Sequence, residues 1–304
     1  MIAGNVLSVS VAQDYRKYLA SEFGLHWERD EKIDRQPGLL QFETIGTKQM
    51  FYNCTEKTAI DQLTDLLQQE QFTAIQERLA QHGMRKGFAC LFYGSPGTGK
   101  TETALQLAKA TGRDIMQVNI TDVKSKWVGE SEQNIKAIFD NYRKYCKRCK
   151  TLPILLFNEA DAVIGTRMEH TSRSVDKMEN AIQNIILEEM EKLEGILIAT
   201  TNLTSNMDKA FERRFLYKIE FHKPSLEART GIWQSMLPTL KAEEATILAT
   251  EYELSGGQIE NIVRKNMVEH ILYNTPTTID NIRHYCESES IERMQAGRAI
   301  IGFR

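Results

Sequence analysis

Short apolar runs alternate with longer amphipathic stretches through the middle of the chain. Phe88-Ala-Cys-Leu-Phe-Tyr93 is a continuous apolar run between Gly87 and Gly94, the pattern of a strand buried on both faces. Asp114 to Ile120, Pro153 to Phe157, Gly195 to Thr200 and Leu216 to Phe221 are further strand candidates. The stretches between them have helical spacing. In Ser131 to Tyr145, Ile135, Ile138, Phe139 and Tyr142 recur at i, i+3, i+4 and i+7; Ile182, Ile185, Ile186 and Met190 do the same in Ser174 to Leu193. Strands alternating with helices of this length predict βαβ crossovers and a parallel sheet covered on both faces.

The flanks read differently. Residues 55–82 are helical, with Ile60, Leu63, Leu67, Ile75 and Leu79 on one face. Residues 225–295 hold several helical patterns and no strand. Pro224 and Ser225 mark a break followed by a helix N-cap. The expected division is therefore a poorly defined segment 1–50, an α/β core 51–224 and an all-α unit 225–304. Within the first segment, Asp14 to Phe23 has a helical pattern.

Composition narrows the function classes. At 304 residues, with 41% hydrophobic and 26% charged, the chain has enough apolar content for a sizeable core. Lys plus Arg at 38 against Asp plus Glu at 41 gives a net charge of -3, which argues against a surface that coats nucleic acid. Five scattered cysteines (Cys54, Cys90, Cys146, Cys149, Cys286) are not a disulfide framework. Cys146 and Cys149 form a lone C-x-x-C with no second ligand pair for zinc. No run reaches the ~18 apolar residues of a membrane span, and the first residues lack the basic start of a signal peptide. The expected setting is cytoplasmic, without membrane or nucleic-acid partners.

Chemistry enters with Gly94-Ser95-Pro96-Gly97-Thr98-Gly99-Lys100-Thr101, which matches G-x-x-x-x-G-K-[ST] directly between a predicted strand and a predicted helix, Lys100 to Ala110. Such a loop turns backbone N–H groups toward an anion, and the helix N-terminus adds partial positive charge. Lys100 then reaches the β and γ phosphates of ATP, and Thr101 offers its hydroxyl to Mg²⁺. The apolar run Ile154-Leu-Leu-Phe157 ends in Asn158-Glu159-Ala-Asp161. Glu159 is placed to take a proton from an attacking water. Asn158 stands where an Asp is expected; its amide can orient a Mg²⁺-bound water but brings no charge. Asp161 is read as a helix N-cap, with loop support or a subunit contact as alternatives.

With these motifs in this order, the chain resembles the AAA family of AAA+ P-loop ATPases over roughly residues 50–275. The resemblance implies a five-stranded parallel sheet flanked by helices, followed by a small helical lid. Lys126-Trp-Val-Gly-Glu-Ser-Glu132 is similar to the family's pore loop, in which Trp127, Val128 and Gly129 grip a threaded polypeptide. Ile196-Leu-Ile-Ala-Thr-Thr-Asn202 is similar to the sensor-1 strand, with Asn202 on the water or the γ-phosphate. Met207 to Phe215 resembles the arginine-finger segment; Arg213 and Arg214 are both candidates to reach the neighbouring subunit's ATP. Gly165 to Lys177 resembles a second pore loop by position. Leu254 to Glu260 resembles the start of the lid helix near the nucleotide, with Gly257 and Gln258 where other branches carry a sensor-2 arginine. Arg264, further along the helix, is read as structural. Phe51 to Asn53 are the candidates to complete the adenine pocket, although the branch's usual upstream glycine signature is not clear.

The implied activity is Mg²⁺-dependent ATP hydrolysis in a homo-oligomeric ring, expected as a hexamer, that remodels an unidentified protein client. A nucleotide-dependent switch with slow hydrolysis is the alternative that Asn158 raises; a DNA-acting ATPase is disfavoured by the pore loop and the charge. The chain reads as a minimal ATPase or a piece of a longer protein.

Overall fold

The computed structural model describes residues 39–120, 131–166, 174–273 and 277–299. Helices α1 (Cys54–Leu66) and α2 (Gln69–Gln81) precede strand β2 (Phe88–Gly94) and helix α3 (Lys100–Ala110); a two-residue strand β1 (Leu39–Leu40) lies upstream of them all. Then come β3 (Ile115–Asn119), α4 (Ser131–Arg148), β4 (Ile154–Asn158), α5 (Asp161–Ile164), α6 (Ser174–Glu191), β5 (Ile196–Thr201), α7 (Lys209–Glu212) and β6 (Tyr217–Phe221). The remaining helices are α8 (Leu226–Met236), α9 (Ala242–Glu251), α10 (Gly256–Tyr273) and α11 (Ile279–Ala299).

The sheet order is β1-β3-β4-β5-β2-β6. The five expected strands form its parallel part. A sixth strand corrects the five-stranded expectation: Leu39 and Leu40 pair antiparallel with Met116 and Ile115 at the outer edge. Two residues are too few for alternation to register, so the pattern could not reveal them. The sheet thus begins upstream of residue 51, and Ile45 is buried in the same core.

Alternation within the buried strands sorts side chains to the two faces. From β2, Ala89 and Leu91 join a cluster with Ile135, Phe139 and Tyr142 of α4 and Ile182 and Ile186 of α6. Phe88, Cys90 and Phe92 join a second cluster with Ile60 and Leu63 of α1, Phe72 of α2 and Ala104 and Leu107 of α3. The expected single helical run over 55–82 is two helices. The chain turns at Leu67 and Gln68, where Arg113 donates from Nε to Leu67 O at 3.0 Å. Residues beyond Pro224 build a third cluster around Trp233, Leu248, Ile259, Ile262 and Ile282. Ser225 caps α8 by accepting the Ala228 N–H at 3.2 Å.

Candidate functional site

The parallel order brings the carboxyl ends of β2, β5 and β4 side by side, where open α/β sheets bind ligands. The loop after β2 turns sharply at Gly94, whose φ of +134° and close approach to Phe221 O would place a Cβ 2.1 Å from that oxygen. The N-cap of α3 is Gly99, and no side chain caps it, so the first N–H groups of the helix are not claimed by a capping side chain. Lys100 is buried and folds back on the loop, donating to Gly94 O and Ser95 O at 2.8 Å each. Burial pushes its amine down to about 8, and nearby Asp161 partly opposes this. Thr98 closes the loop by donating to Ser95 O at 2.9 Å.

Thr101 Oγ1 donates to Asn158 Oδ1 at 2.7 Å, joining the start of α3 to the end of β4. Glu159 follows with φ +52° and an exposed side chain. That left-handed backbone is unfavourable for a residue with a Cβ, by about 1–3 kcal/mol, and turns the chain out of the strand. Thr200, on neighbouring β5, donates to Asn158 Oδ1 at 2.9 Å and accepts the Glu159 N–H at 3.2 Å. One residue beyond β5, Asn202 donates its backbone N–H to Asp161 Oδ1 at 2.7 Å and its side-chain amide to Asp161 Oδ2 at 3.3 Å. Thr201 also donates to Asp161 Oδ1. Asp161 therefore supports the Asn202 loop and is not an N-cap; the cap position of α5 is Ala160, without a side-chain bond.

A pocket of about 390 Å³ opens over these groups. Pro96, Gly97, Thr98, Gly99, Lys100, Thr101, Asn158, Glu159 and Asn202 line it, so most of the expected site residues converge on one cavity. Gly94 and Ser95 do not line it and act through their carbonyls on Lys100. Its wall also includes the apolar Met50, Phe51, Pro224, Ile232 and Met236, alongside the charged Lys48, Glu56 and Glu260. Of the three residues expected there, only Phe51 is in the wall. Tyr52 turns to Thr103 Oγ1 and to the ring of Phe221, and Asn53 holds Lys223 O and the Ser225 N–H. Gly256 and Gly257 also line the pocket, and the Gly257 N–H donates to Gly97 O at 2.9 Å. Ile232 and Met236 gave no signal in the sequence beyond an amphipathic helix. Thr200 had a weak one, as the first of two hydroxyls that end an otherwise apolar strand.

The arginines lie elsewhere. Neither Arg213 nor Arg214 lines the pocket. Arg213 is exposed, whereas Arg214 donates to Ala210 O at 2.8 Å and pairs with Glu191. Trp127, Val128 and Gly129, and most of the segment Gly165 to Lys177, lie outside the described residues. All five cysteines are free thiols, and no group of three metal-ligating side chains occurs among the described residues. No helix there is long and apolar enough to cross a membrane.

The donor set at the strand ends is a hydroxyl, an amide oxygen and a carboxylate, which suits Mg²⁺ and not a thiophilic metal. Residues 90–223 match the family model described as the ATPase family associated with various cellular activities (AAA). This part of the chain belongs to the AAA family. The AAA match spans the P-loop, the β4 and β5 ends and the Arg213–Arg214 segment. Similar proteins include cell division protein C of Sulfolobus acidocaldarius, 30% identical over 164 residues, covering 52% of this chain and 42% of that one. A vesicle-fusing ATPase of Arabidopsis thaliana is 29% identical over 230 residues, 69% of this chain and 30% of that one. A 26S proteasome regulatory subunit 7 homolog of Saccharomyces cerevisiae is 30% identical over 176 residues, 55% and 36% of the two chains. The matches thus span well under half the length of these relatives.

Proposed function

We propose that this chain binds ATP with Mg²⁺ between its α/β core and its helical lid (residues 225–304) and hydrolyses it within a homo-oligomeric ring, expected as a hexamer. The convergence of Lys100, Thr101, Asn158, Glu159 and Asn202 on one pocket carries this reading. The loop Gly94–Thr101 and the start of α3 cradle the phosphates, with Lys100 leaving the Gly94 and Ser95 carbonyls for the β and γ oxygens. The Thr101 oxygen would hold Mg²⁺, with its proton directed to Asn158 Oδ1, and the ion would neutralise charge on the transferred phosphoryl group. Glu159 accepts the proton of the attacking water, and Asn202, braced by Asp161, orients that water. The apolar wall of Phe51, Ile232 and Met236 takes the base.

Among the described residues no arginine lines the pocket, which supports supply from the next subunit. Arg213 is the better candidate, because Arg214 is tied to Ala210 and Glu191. Motion of Trp127, Val128 and Gly129 would then act on a protein client; relatives named as a vesicle-fusing ATPase and a 26S proteasome regulatory subunit support a client of that kind. The test mixes two variants. Glu159→Gln alone should bind ATP and lose at least ~100-fold in hydrolysis, and Arg213→Ala alone should be similarly slow. Mixed, they should regain activity at interfaces that combine an intact Glu159 with an intact Arg213. Full activity of Glu159→Gln, or no recovery on mixing, overturns the shared-site mechanism.

A second reading, a slow nucleotide-dependent switch, draws on the uncharged Asn158 beside Thr101. It requires slow single-turnover hydrolysis at saturating Mg²⁺ that Asn158→Asp accelerates; an ordinary rate in the wild type sinks it.

A further inference from the structure

Asn158 differs from a carboxylate in having one accepting and one donating end, so its function depends on which end faces Thr101. The hydrogen bonds around it decide this. Thr200 is 2% exposed and lies between the two residues at the end of β4. Its oxygen accepts the Glu159 backbone N–H at 3.2 Å, which leaves its single proton for Asn158 Oδ1 at 2.9 Å. Thr101 gives its own proton to the same oxygen at 2.7 Å. Two donated protons use both lone pairs of Oδ1 and fix the amide. The Thr101 proton is then committed inward, and its lone pairs are left for a cation. A reversed amide would point its NH₂ at Thr101. The Thr101 oxygen would have to accept from it, and its proton would turn toward the cation.

We propose that Thr200 is a positioning residue for the cation: it locks the Asn158 amide and thereby keeps Thr101 an acceptor on the metal side. This rests on the Mg²⁺·ATP reading of the pocket. It matters only because residue 158 is an asparagine. The two oxygens of a carboxylate are equivalent, so an aspartate there would have no wrong orientation to adopt. Thr200 and Asn158 are therefore coupled, and the coupling has a definite direction.

The test titrates Mg²⁺ against binding of a fluorescent ATP analogue, without reference to turnover. Thr200→Val, which keeps the shape and removes the hydroxyl, should raise the half-saturating Mg²⁺ concentration about tenfold, the usual cost of losing a partner behind a metal ligand. Thr200→Ser should stay near wild type. In an Asn158→Asp background, Thr200→Val should change the midpoint by no more than about twofold, well below that usual cost, because the two carboxylate oxygens are equivalent and no orientation has to be held. A wild-type midpoint in Thr200→Val, or an equal loss in the Asn158→Asp background, overturns the inference while leaving the ATP site standing. The second comparison also exposes a merely structural defect, which the Asn158→Asp change would not repair. If the wild type itself shows no Mg²⁺-dependent binding, the pocket reading fails and this inference with it.

Discussion

Lys100 sits in an electrostatically costly position. It is 7% exposed, and its ammonium is held by two carbonyls, Gly94 O and Ser95 O, which bring no negative charge. Burial therefore lowers its pKa from 10.5 to about 8, with Asp161 recovering only part of the loss. A bound polyphosphate would favour the charged form and move the pKa back up. A group whose pKa is higher in the complex takes up a proton on binding, at pH values between the free and bound pKa. ATP affinity should therefore fall as pH rises above about 8. Calorimetry at pH 9 in buffers of different ionisation enthalpy should register that proton uptake. In Lys100→Arg, whose side chain stays protonated, the uptake should vanish. Constant affinity across this range in the wild type would show that Lys100 is already charged before ATP binds, and so that burial does not lower its pKa as far as this. The G-x-x-x-x-G-K-[ST] spacing made the position of Lys100 legible. Its low pKa was not, because that follows from the packing of the loop and not from the motif.

At the scale of elements, the five parallel strands were readable to within a residue or so at each end, since β2, β4 and β5 are mostly apolar runs and β6 alternates apolar with charged residues. What joins them was not readable. Tyr142 looked like one more apolar position on α4, yet its hydroxyl accepts the Ile196 N–H at 2.7 Å and lies 2.8 Å from Pro153 O. It thus pins α4 to the amino-terminal ends of β4 and β5. Gly195 leaves the room for it: a Cβ there would lie 2.2 Å from the hydroxyl. Tyr142→Phe keeps the ring and strands a buried backbone donor, a loss of about 1–3 kcal/mol. Urea unfolding should show that loss as a lower midpoint at unchanged slope. A variant as stable as wild type would mean that the Ile196 N–H finds another acceptor. Arg113 tells the same story at the other sheet face. It is fully buried, bonds Leu67 O and Leu152 O, and lies over the Phe72 ring at 5.0 Å. No local pattern marks an arginine as the pin between a helix end and a strand.

At the scale of the molecule, the order of motifs revealed the part of the pocket proposed to hold phosphate. The rest comes from segments distant in sequence: Phe51 before the first helix, which was among the candidates for the adenine pocket, and Ile232 and Met236 on α8, whose local pattern reports an amphipathic helix and nothing more. The fit between them is tight. Gly231 lies against the Phe51 ring so closely that a Cβ would be 2.4 Å from Cδ1. Gly231→Ala must therefore displace the ring or the helix, at a cost of about 1–3 kcal/mol. Since Phe51 and α8 together line the side proposed to take the base, the same clash should deform that side of the pocket and leave the phosphate loop as it is. Weaker nucleotide binding by about tenfold, the equivalent of ~1.4 kcal/mol, is expected in fluorescence titrations, together with a lower unfolding temperature. Adding Phe51→Leu removes the ring that the new methyl meets. The double variant should recover stability without recovering affinity, because the wall is then missing. Recovery of both would mean that the base sits elsewhere, and recovery of neither would mean that Gly231 is needed for the helix itself.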